Sequence, residues 1–113
     1  MAATFTHLTA DLAGVRDEQL RDLTLITGLL IAATAAAGLV TLGPPALHAR
    51  PQGGLTAMLV LEPGHLVVHA FPERSRLILD VLTLATQQPL QALEVFTRRL
   101  TPRDVRTEVR PVG

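Results

Sequence analysis

Two histidines and a glutamate recur at four-residue intervals and are the first candidates for chemistry in this chain. On a helix, His65, His69 and Glu73 would share one face and could bind a zinc ion. The apolar residues between them, including Val67 and Val68, favour a β-strand instead. On a strand the two histidines lie about 13 Å apart, which is too far to share one ion. We therefore expect no metal at this set.

The chain offers few nucleophiles. It contains no Cys and no Lys, and its only serine is Ser75. Without Cys there are no disulfides, thiolate chemistry or cysteine-bound zinc, and without Lys there is no internal Schiff base to pyridoxal phosphate. Ser75 lies between two arginines beyond Pro72, where we expect a solvated turn or the start of a helix. Few covalent mechanisms therefore remain.

Charge and hydropathy argue against nucleic-acid and membrane partners. The formal net charge is zero, and no run of like charge provides a basic face. The segment from Leu23 to Leu47 has no charged side chain, but Gly28, Gly38 and the absence of flanking aromatic anchors favour a buried helix followed by a strand over a membrane span. We expect one cytoplasmic domain over residues 1–113.

Residue patterning predicts an α+β domain with the element order β-α-β-β-β-α-β. The first helix is predicted to run for about 20 residues from Asp17, with acidic side chains at its N-terminus. Helical spacing over Arg76–Thr86, and again after Pro89, predicts the second helical region. The predicted strands cover residues 5–12, 39–42, 55–62, 65–71 and 101–109.

This order implies a two-layer α/β sandwich, in which an antiparallel sheet carries both helices on one face. The other face of the sheet would then remain uncovered. In a chain of this size a partner subunit usually supplies that cover. We therefore predict a homodimer that forms sheet to sheet.

The segment from Gly64 to Glu73, read as Gly-His-Leu-Val-Val-His-Ala-Phe-Pro-Glu, resembles the core motif of the prokaryotic S-adenosylmethionine decarboxylases. In that family the motif is roughly Glu-Ser-His-x-x-x-His-Thr-Trp-Pro-Glu. Three further segments, 10–14, 51–54 and 80–83, resemble other family segments in the same order. The resemblance implies a serine that cuts its own backbone and becomes a pyruvoyl group, the electron sink for decarboxylation.

The chain departs from the family at both positions that carry this chemistry. Gly64 stands where the serine would be, and glycine has no Cβ oxygen to form the ester or undergo β-elimination. Leu84 stands where the family has a proton-donating cysteine, and we interpret it as a helix core residue. His69 matches a histidine that assists self-processing. We therefore expect no pyruvoyl cofactor and no autonomous enzyme.

The resemblance also assigns ligand-binding roles. It places Phe71 at an aromatic that stacks on adenine and Glu73 at a carboxylate that binds the ribose hydroxyls, with His65 nearby in the same motif. The family's second stacking aromatic lies just upstream of Pro-Gln-Gly, where this chain offers His48 or Ala49.

A processing serine of the family falls on Leu55 or Thr56. The choice depends on where one inserted residue is placed near Gly53. Thr56 would keep a hydroxyl at this position, whereas Leu55 would not.

Three functional hypotheses follow from the resemblance. The first is a decarboxylase-like protein that has lost self-processing and acts as a regulatory or ligand-binding homologue in polyamine-type metabolism. Its ligand would be S-adenosylmethionine or a polyamine, and its partner a second copy or an active decarboxylase paralogue. The second is an active decarboxylase with a rearranged or partner-supplied site, and the third is a dimeric scaffold that binds no ligand.

Overall fold

The computed structural model describes residues 2–113, which form one sheet and a layer of helices. Six strands pair in the order β2-β3-β4-β5-β1-β6, and every neighbouring pair is antiparallel. The elements in chain order are β1 (Phe5–Ala13), α1 (Asp17–Leu20), α2 (Leu23–Ala36), β2 (Ala46–Ala49), β3 (Leu55–Leu61), β4 (Gly64–Phe71), a 3-10 turn (Pro72–Arg74), β5 (Arg76–Leu84), α3 (Pro89–Leu100) and β6 (Asp104–Val112).

The core lies between one face of the sheet and helices α2 and α3. Strands β1, β3, β4 and β5 alternate between buried and more exposed residues, as expected for a sheet with one covered face. Phe96 of α3 is fully buried and is among the largest side chains of the core. The predicted antiparallel sheet with helices on one face is confirmed.

The predicted first helix is broken into two. Helix α1 ends at Leu20, and α2 begins at Leu23 after an extended Asp22. The Asp22 carboxylate accepts a hydrogen bond from the Leu25 backbone N–H at 3.0 Å, which caps α2. The single helix predicted from Asp17 is therefore wrong, because Asp22 starts a new helix rather than continuing the first.

The helix predicted over Arg76–Thr86 is wrong, because this segment forms strand β5. Leu77, Leu79 and Val81 are fully buried on the helix side, and the residues between them face the opposite side. Leu84 is the last residue of β5 and pairs with Phe5 of β1. It is half-buried on the uncovered face and is not a helix core residue.

The strand predicted at residues 39–42 is also wrong, because these residues form no strand. This segment makes only an isolated bridge, from Thr41 to Leu61. Strand β2 lies after the Pro44-Pro45 pair instead and contributes the exposed edge of the sheet beside β3. Within residues 2–113, none of the helices is long and apolar enough to cross a membrane.

We call the sheet face opposite the helices the open face. None of the helices in residues 2–113 covers it. Its apolar side chains are half-buried or exposed, and they belong to Phe5, Met58, Val60, Val67, Ile78, Leu82 and Leu84.

Candidate functional site

Five residues at one end of the open face form what we call the Phe71 cluster. Strand β3 contributes Thr56, β4 contributes His69 and Phe71, and the 3-10 turn contributes Glu73. Arg50 reaches the cluster from the end of β2, just before the turn at Pro51. The structure thus brings together the sequence-predicted residues Thr56, His69, Phe71 and Glu73 and adds Arg50 to them.

Arg50 is the centre of this cluster. Its guanidinium carbon lies 4.3 Å from the centroid of the Phe71 ring, which is the geometry of a cation–π contact. Its Nη2 donates to Oε1 of Glu73 at 2.9 Å, and its Nη1 donates to the Ala70 carbonyl at 3.1 Å. One side chain therefore contacts two of the four residues predicted from the sequence to bind a ligand, which are Phe71, Glu73, His65 and Thr56.

The pairing changes the acidity of the glutamate. The hydrogen bond from Arg50 is the largest effect lowering the pKa of Glu73 below its ordinary value, and the charges of Arg50 and Arg74 act in the same direction. Glu73 is therefore a stable anion at neutral pH. A carboxylate beside an aromatic face can accept hydrogen bonds from hydroxyl groups or pair with a cation.

Thr56 and His69 lie opposite each other on β3 and β4 and are joined by a side-chain contact. The Thr56 Oγ1 and the His69 Nδ1 are 2.8 Å apart. The His69 ring stacks against Phe71, with 6.1 Å between centroids. Leu55 faces the other way and is fully buried in the core. Of the two candidates for the family's processing-serine position, Thr56 is thus the one whose side chain lies beside His69 on the open face.

Neither His48 nor Ala49, the two candidates for the place of the family's second stacking aromatic, is among the ring contacts that the described residues make with Phe71. His48 lies on the exposed strand β2, opposite Thr56 in register, and Ala49 pairs with Leu55. Arg50 makes the contact with Phe71 instead. The sequence signal that could have identified it is the position of Arg50 directly before Pro-Gln-Gly, but an arginine does not match an aromatic pattern.

Gly64 is the first residue of β4 and has a backbone that suits glycine alone. Its φ is 111°, in a region that side chains of L-residues rarely adopt. A Cβ placed there would overlap the carbonyl oxygen of Leu82 on the neighbouring strand. The absence of a side chain at Gly64 is therefore built into the way β4 approaches β5.

His65 belongs to a second group, which we call the Asp80 cluster. Its Nε2 lies 3.0 Å from Oδ1 of Asp80, and Nε2 of His7 lies 2.8 Å from the same oxygen. Burial raises the pKa of Asp80, but the hydrogen bonds and charges of His65 and His7 outweigh this effect and hold it below its ordinary value. His65 is thus directed towards His7 and Asp80, and three strand residues separate it from His69.

Thr56 is the one hydroxyl-bearing residue of the two clusters, and its Oγ1 lies against the His69 imidazole. Ser75 is exposed in a left-handed turn with a φ of 50°, just after the 3-10 turn. Its backbone carbonyl accepts hydrogen bonds from the N–H groups of Gly14 and Val15. The open face thus presents an aromatic ring (Phe71), two carboxylates (Glu73 and Asp80) and three imidazoles (His7, His65 and His69). These groups are chemically suited to contact a cation or a hydrogen-bonding ligand.

The fold and the order of these segments define a small two-layer α+β protein with a polar site on its open sheet face. Residues 6–111 match the family described as S-adenosylmethionine decarboxylase. The chain therefore belongs to the S-adenosylmethionine decarboxylase family.

Individual relatives and a solved structure agree with this assignment. The S-adenosylmethionine decarboxylase proenzyme of Symbiobacterium thermophilum is 32% identical over 100 residues, covering 88% of this chain and 75% of that protein. The proenzyme of Pyrobaculum neutrophilum is 27% identical and is covered over 81% of its length. The crystal structure of the adenosylmethionine decarboxylase from Aquifex aeolicus has the same fold, with a TM-score of 0.89 over 100% of this chain and 93% of that one at 24% identity.

Proposed function

We propose that this chain is a member of the family that does not process itself and acts by binding a ligand, in a regulatory role. The observation that carries the proposal is Gly64. Formation of a pyruvoyl group needs a side-chain oxygen on the Cβ of this residue, and glycine has neither atom. The backbone at Gly64 supports the same view, since a Cβ there would overlap the Leu82 carbonyl.

The relatives that carry the name decarboxylase proenzyme suggest the ligand class. We propose that S-adenosylmethionine, or a polyamine from the same metabolism, binds at the Phe71 cluster. The chemistry of the cluster supports a cationic ligand, because Phe71 and Glu73 already contact the cationic side chain of Arg50. A sulfonium or an ammonium group can make the same contacts with an aromatic face and a carboxylate.

Arg50 competes with the ligand in this proposal. Its guanidinium covers the Phe71 ring and uses both oxygens of Glu73, at 2.9 and 3.4 Å from its nitrogens. A ligand that stacks on Phe71 and binds Glu73 has to displace it. Binding is therefore coupled to a movement of the Arg50 side chain, and this movement is how the proposed protein signals binding.

A homodimer formed through the open face is part of the proposal. Two apolar residues on this face, Met58 and Val60, are 36% and 51% exposed, and a second sheet would bury them. An active decarboxylase paralogue with the same open face would be an alternative partner. In either case the ligand site lies within the interface or at its rim.

The first experiment joins mass spectrometry to calorimetry. We expect the purified chain to keep the mass of one intact polypeptide. We also expect S-adenosylmethionine to bind saturably, with spermidine titrated in parallel to distinguish the two ligand types. Phe71→Ala should weaken binding about fivefold, taking the extra value of one aromatic contact as about 1 kcal/mol. Arg50→Ala should tighten it, and Arg98→Ala, on the exposed side of α3, should leave it unchanged.

Two outcomes would contradict this proposal. Cleavage of the chain with release of carbon dioxide from S-adenosylmethionine would make it an active decarboxylase with a rearranged site. Failure to bind either ligand at millimolar concentration, in the wild type and in Arg50→Ala, would favour a scaffold that binds no small molecule.

A further inference from the structure

Three residues from three adjacent strands converge on the open face, well apart in sequence. His7 lies on β1, Asp80 on β5 and His65 on β4, and β5 is the middle strand of the three. His7 and His65 both pair with Leu82 in register, from opposite sides. Asp80 lies two residues along β5 on the same face, so both imidazoles reach across to one carboxylate.

We propose that His7, His65 and Asp80 bind a zinc ion. One nitrogen from each imidazole and one oxygen of the carboxylate all lie within 4.8 Å of one another. In a tetrahedral zinc site with bonds of 2.0–2.1 Å, the ligand atoms are about 3.3 Å apart. The Nε2 atoms of His7 and His65 are 2.8 and 3.0 Å from Oδ1 of Asp80. These two distances therefore need to lengthen by only a few tenths of an ångström to reach the spacing of zinc ligands.

The chemistry of the three groups suits zinc. Zinc binds both imidazole nitrogens and carboxylate oxygens. Three protein ligands also leave the fourth position of a tetrahedral zinc ion open. Oxygen-preferring cations such as Mg²⁺ would find too few oxygen ligands here. No cysteine in the chain competes for the ion.

The electrostatics favour a cation as well. Among residues 2–113, no arginine forms a salt bridge with Asp80, and both of its ion-pair contacts are to histidines. With both imidazoles neutral, as metal binding requires, the group carries the uncompensated charge of the carboxylate. A divalent ion reverses that charge and replaces two hydrogen bonds with three coordination bonds, one from each residue.

The site is accessible but not fully exposed. The side chains of His7, His65 and Asp80 are 24%, 35% and 37% exposed. An ion can therefore reach these three side chains from the open face of a single chain. This set is distinct from His65, His69 and Glu73, for which the sequence predicted no metal, because His7 and Asp80 come from other strands.

The inference does not depend on the proposed function, since the Asp80 cluster shares no residue with the Phe71 cluster. The direct test is a calorimetric titration of the metal-free protein with Zn²⁺. We expect one ion per chain. His7→Ala and Asp80→Asn should each raise the dissociation constant at least about 100-fold, because even partners of metal ligands are worth 10–100-fold. His48→Ala removes an exposed histidine on β2 and serves as the control, with unchanged affinity expected.

A second measurement on the wild-type chain keeps the test independent of how well the variants fold. Substoichiometric Co²⁺ should broaden the imidazole resonances of His7 and His65 in NMR spectra and leave those of His48 sharp. The proposal is overturned if Zn²⁺ does not bind saturably at millimolar concentration. It is equally overturned if His7→Ala and Asp80→Asn, both folded, bind as the wild type does, or if Co²⁺ broadens His48 in preference to His7.

Discussion

Arg50 lies over the ring of Phe71, with its guanidinium carbon 4.3 Å from the ring centroid. The same guanidinium holds the Glu73 carboxylate at 2.9 Å and the Ala70 carbonyl at 3.1 Å. Arg50 precedes the turn at Pro51, whereas its partners lie at the end of β4 and just after it. A single side chain therefore ties the exposed edge of the sheet to the residues that the family resemblance assigns to a ligand.

The first prediction concerns the acidity of Glu73. Because the hydrogen bond from Arg50 is the largest effect lowering its pKa, Arg50→Ala should raise the pKa of Glu73 towards its ordinary value of 4.5. Arg74→Ala should raise it less, since the charge of Arg74 is the smallest of the effects. The measurement is an NMR titration that follows the Glu73 carboxyl carbon.

The sign of this effect fixes the pH window of the contact. With a lowered pKa, Glu73 stays ionised below the ordinary glutamate range, and the pair with Arg50 is lost only as the pH falls through the lowered value. A Glu73 titration midpoint that is identical in the wild type and Arg50→Ala would refute the pairing.

Gly64 gives a prediction about stability. Gly64→Ala should lower the free energy of unfolding by about 2–4 kcal/mol, because a side chain at this φ is strained and its Cβ overlaps the Leu82 carbonyl. Gly28→Ala is the control: Gly28 lies within α2, and a methyl group added there would meet no atom within 4 Å. This variant should gain about 1 kcal/mol from the better helix propensity of alanine. Urea denaturation measures both.

Gly64→Ser extends the test from stability to chemistry. We expect the same loss of stability and no chain cleavage, because the serine side chain would meet the Leu82 carbonyl that any Cβ at this position overlaps. Self-cleavage of this variant, followed by turnover of S-adenosylmethionine, would mean that the site is a single substitution away from activity.

The sequence was informative where one face of an element is apolar and the other polar. Strand β1, the β3–β4 hairpin and helix α3 were predicted within a few residues of their observed ranges. Strand β5 was missed because its outward residues Ile78 and Leu82 are also apolar. Without alternation, hydropathy cannot distinguish a period of two from a period of three to four.

The site was predictable only where a motif is local. Phe71 and Glu73 were singled out because they follow His69 in one continuous segment, and in the structure both contact Arg50. His7 and Asp80 could not be joined to His65 from the sequence, since their meeting depends on the register of three strands. Arg50 was missed for a different reason, because an arginine can take the place of an aromatic ring against Phe71 without resembling one in sequence.

Helix α3 gives a prediction about packing against the sheet. Phe96→Ala should lower the free energy of unfolding by about 3–5 kcal/mol, since Phe96 is fully buried in the core. Leu90→Ala lies on the same helix but is 51% exposed, so its effect should stay within about 0.5 kcal/mol. Thermal and urea unfolding followed by circular dichroism measure both. Equal effects from the two variants would contradict the placement of α3 on the sheet.

The last prediction tests the proposed homodimer and its location on the open face. Val60 on the open face is 51% exposed, and Ile31 on helix α2 is 50% exposed, so the two β-branched residues are matched in exposure and differ in the layer they belong to. Val60→Arg should raise the dissociation constant of the dimer at least about 100-fold, because an unpaired charge buried between two sheets costs ~3 kcal/mol. Ile31→Arg should leave the dimer intact, since it remains in solvent on the helix side. Sedimentation velocity over a concentration series distinguishes the two. A wild-type chain that stays monomeric throughout, or a dimer weakened by Ile31→Arg instead, would show that the open face is covered by something other than a second copy of this sheet.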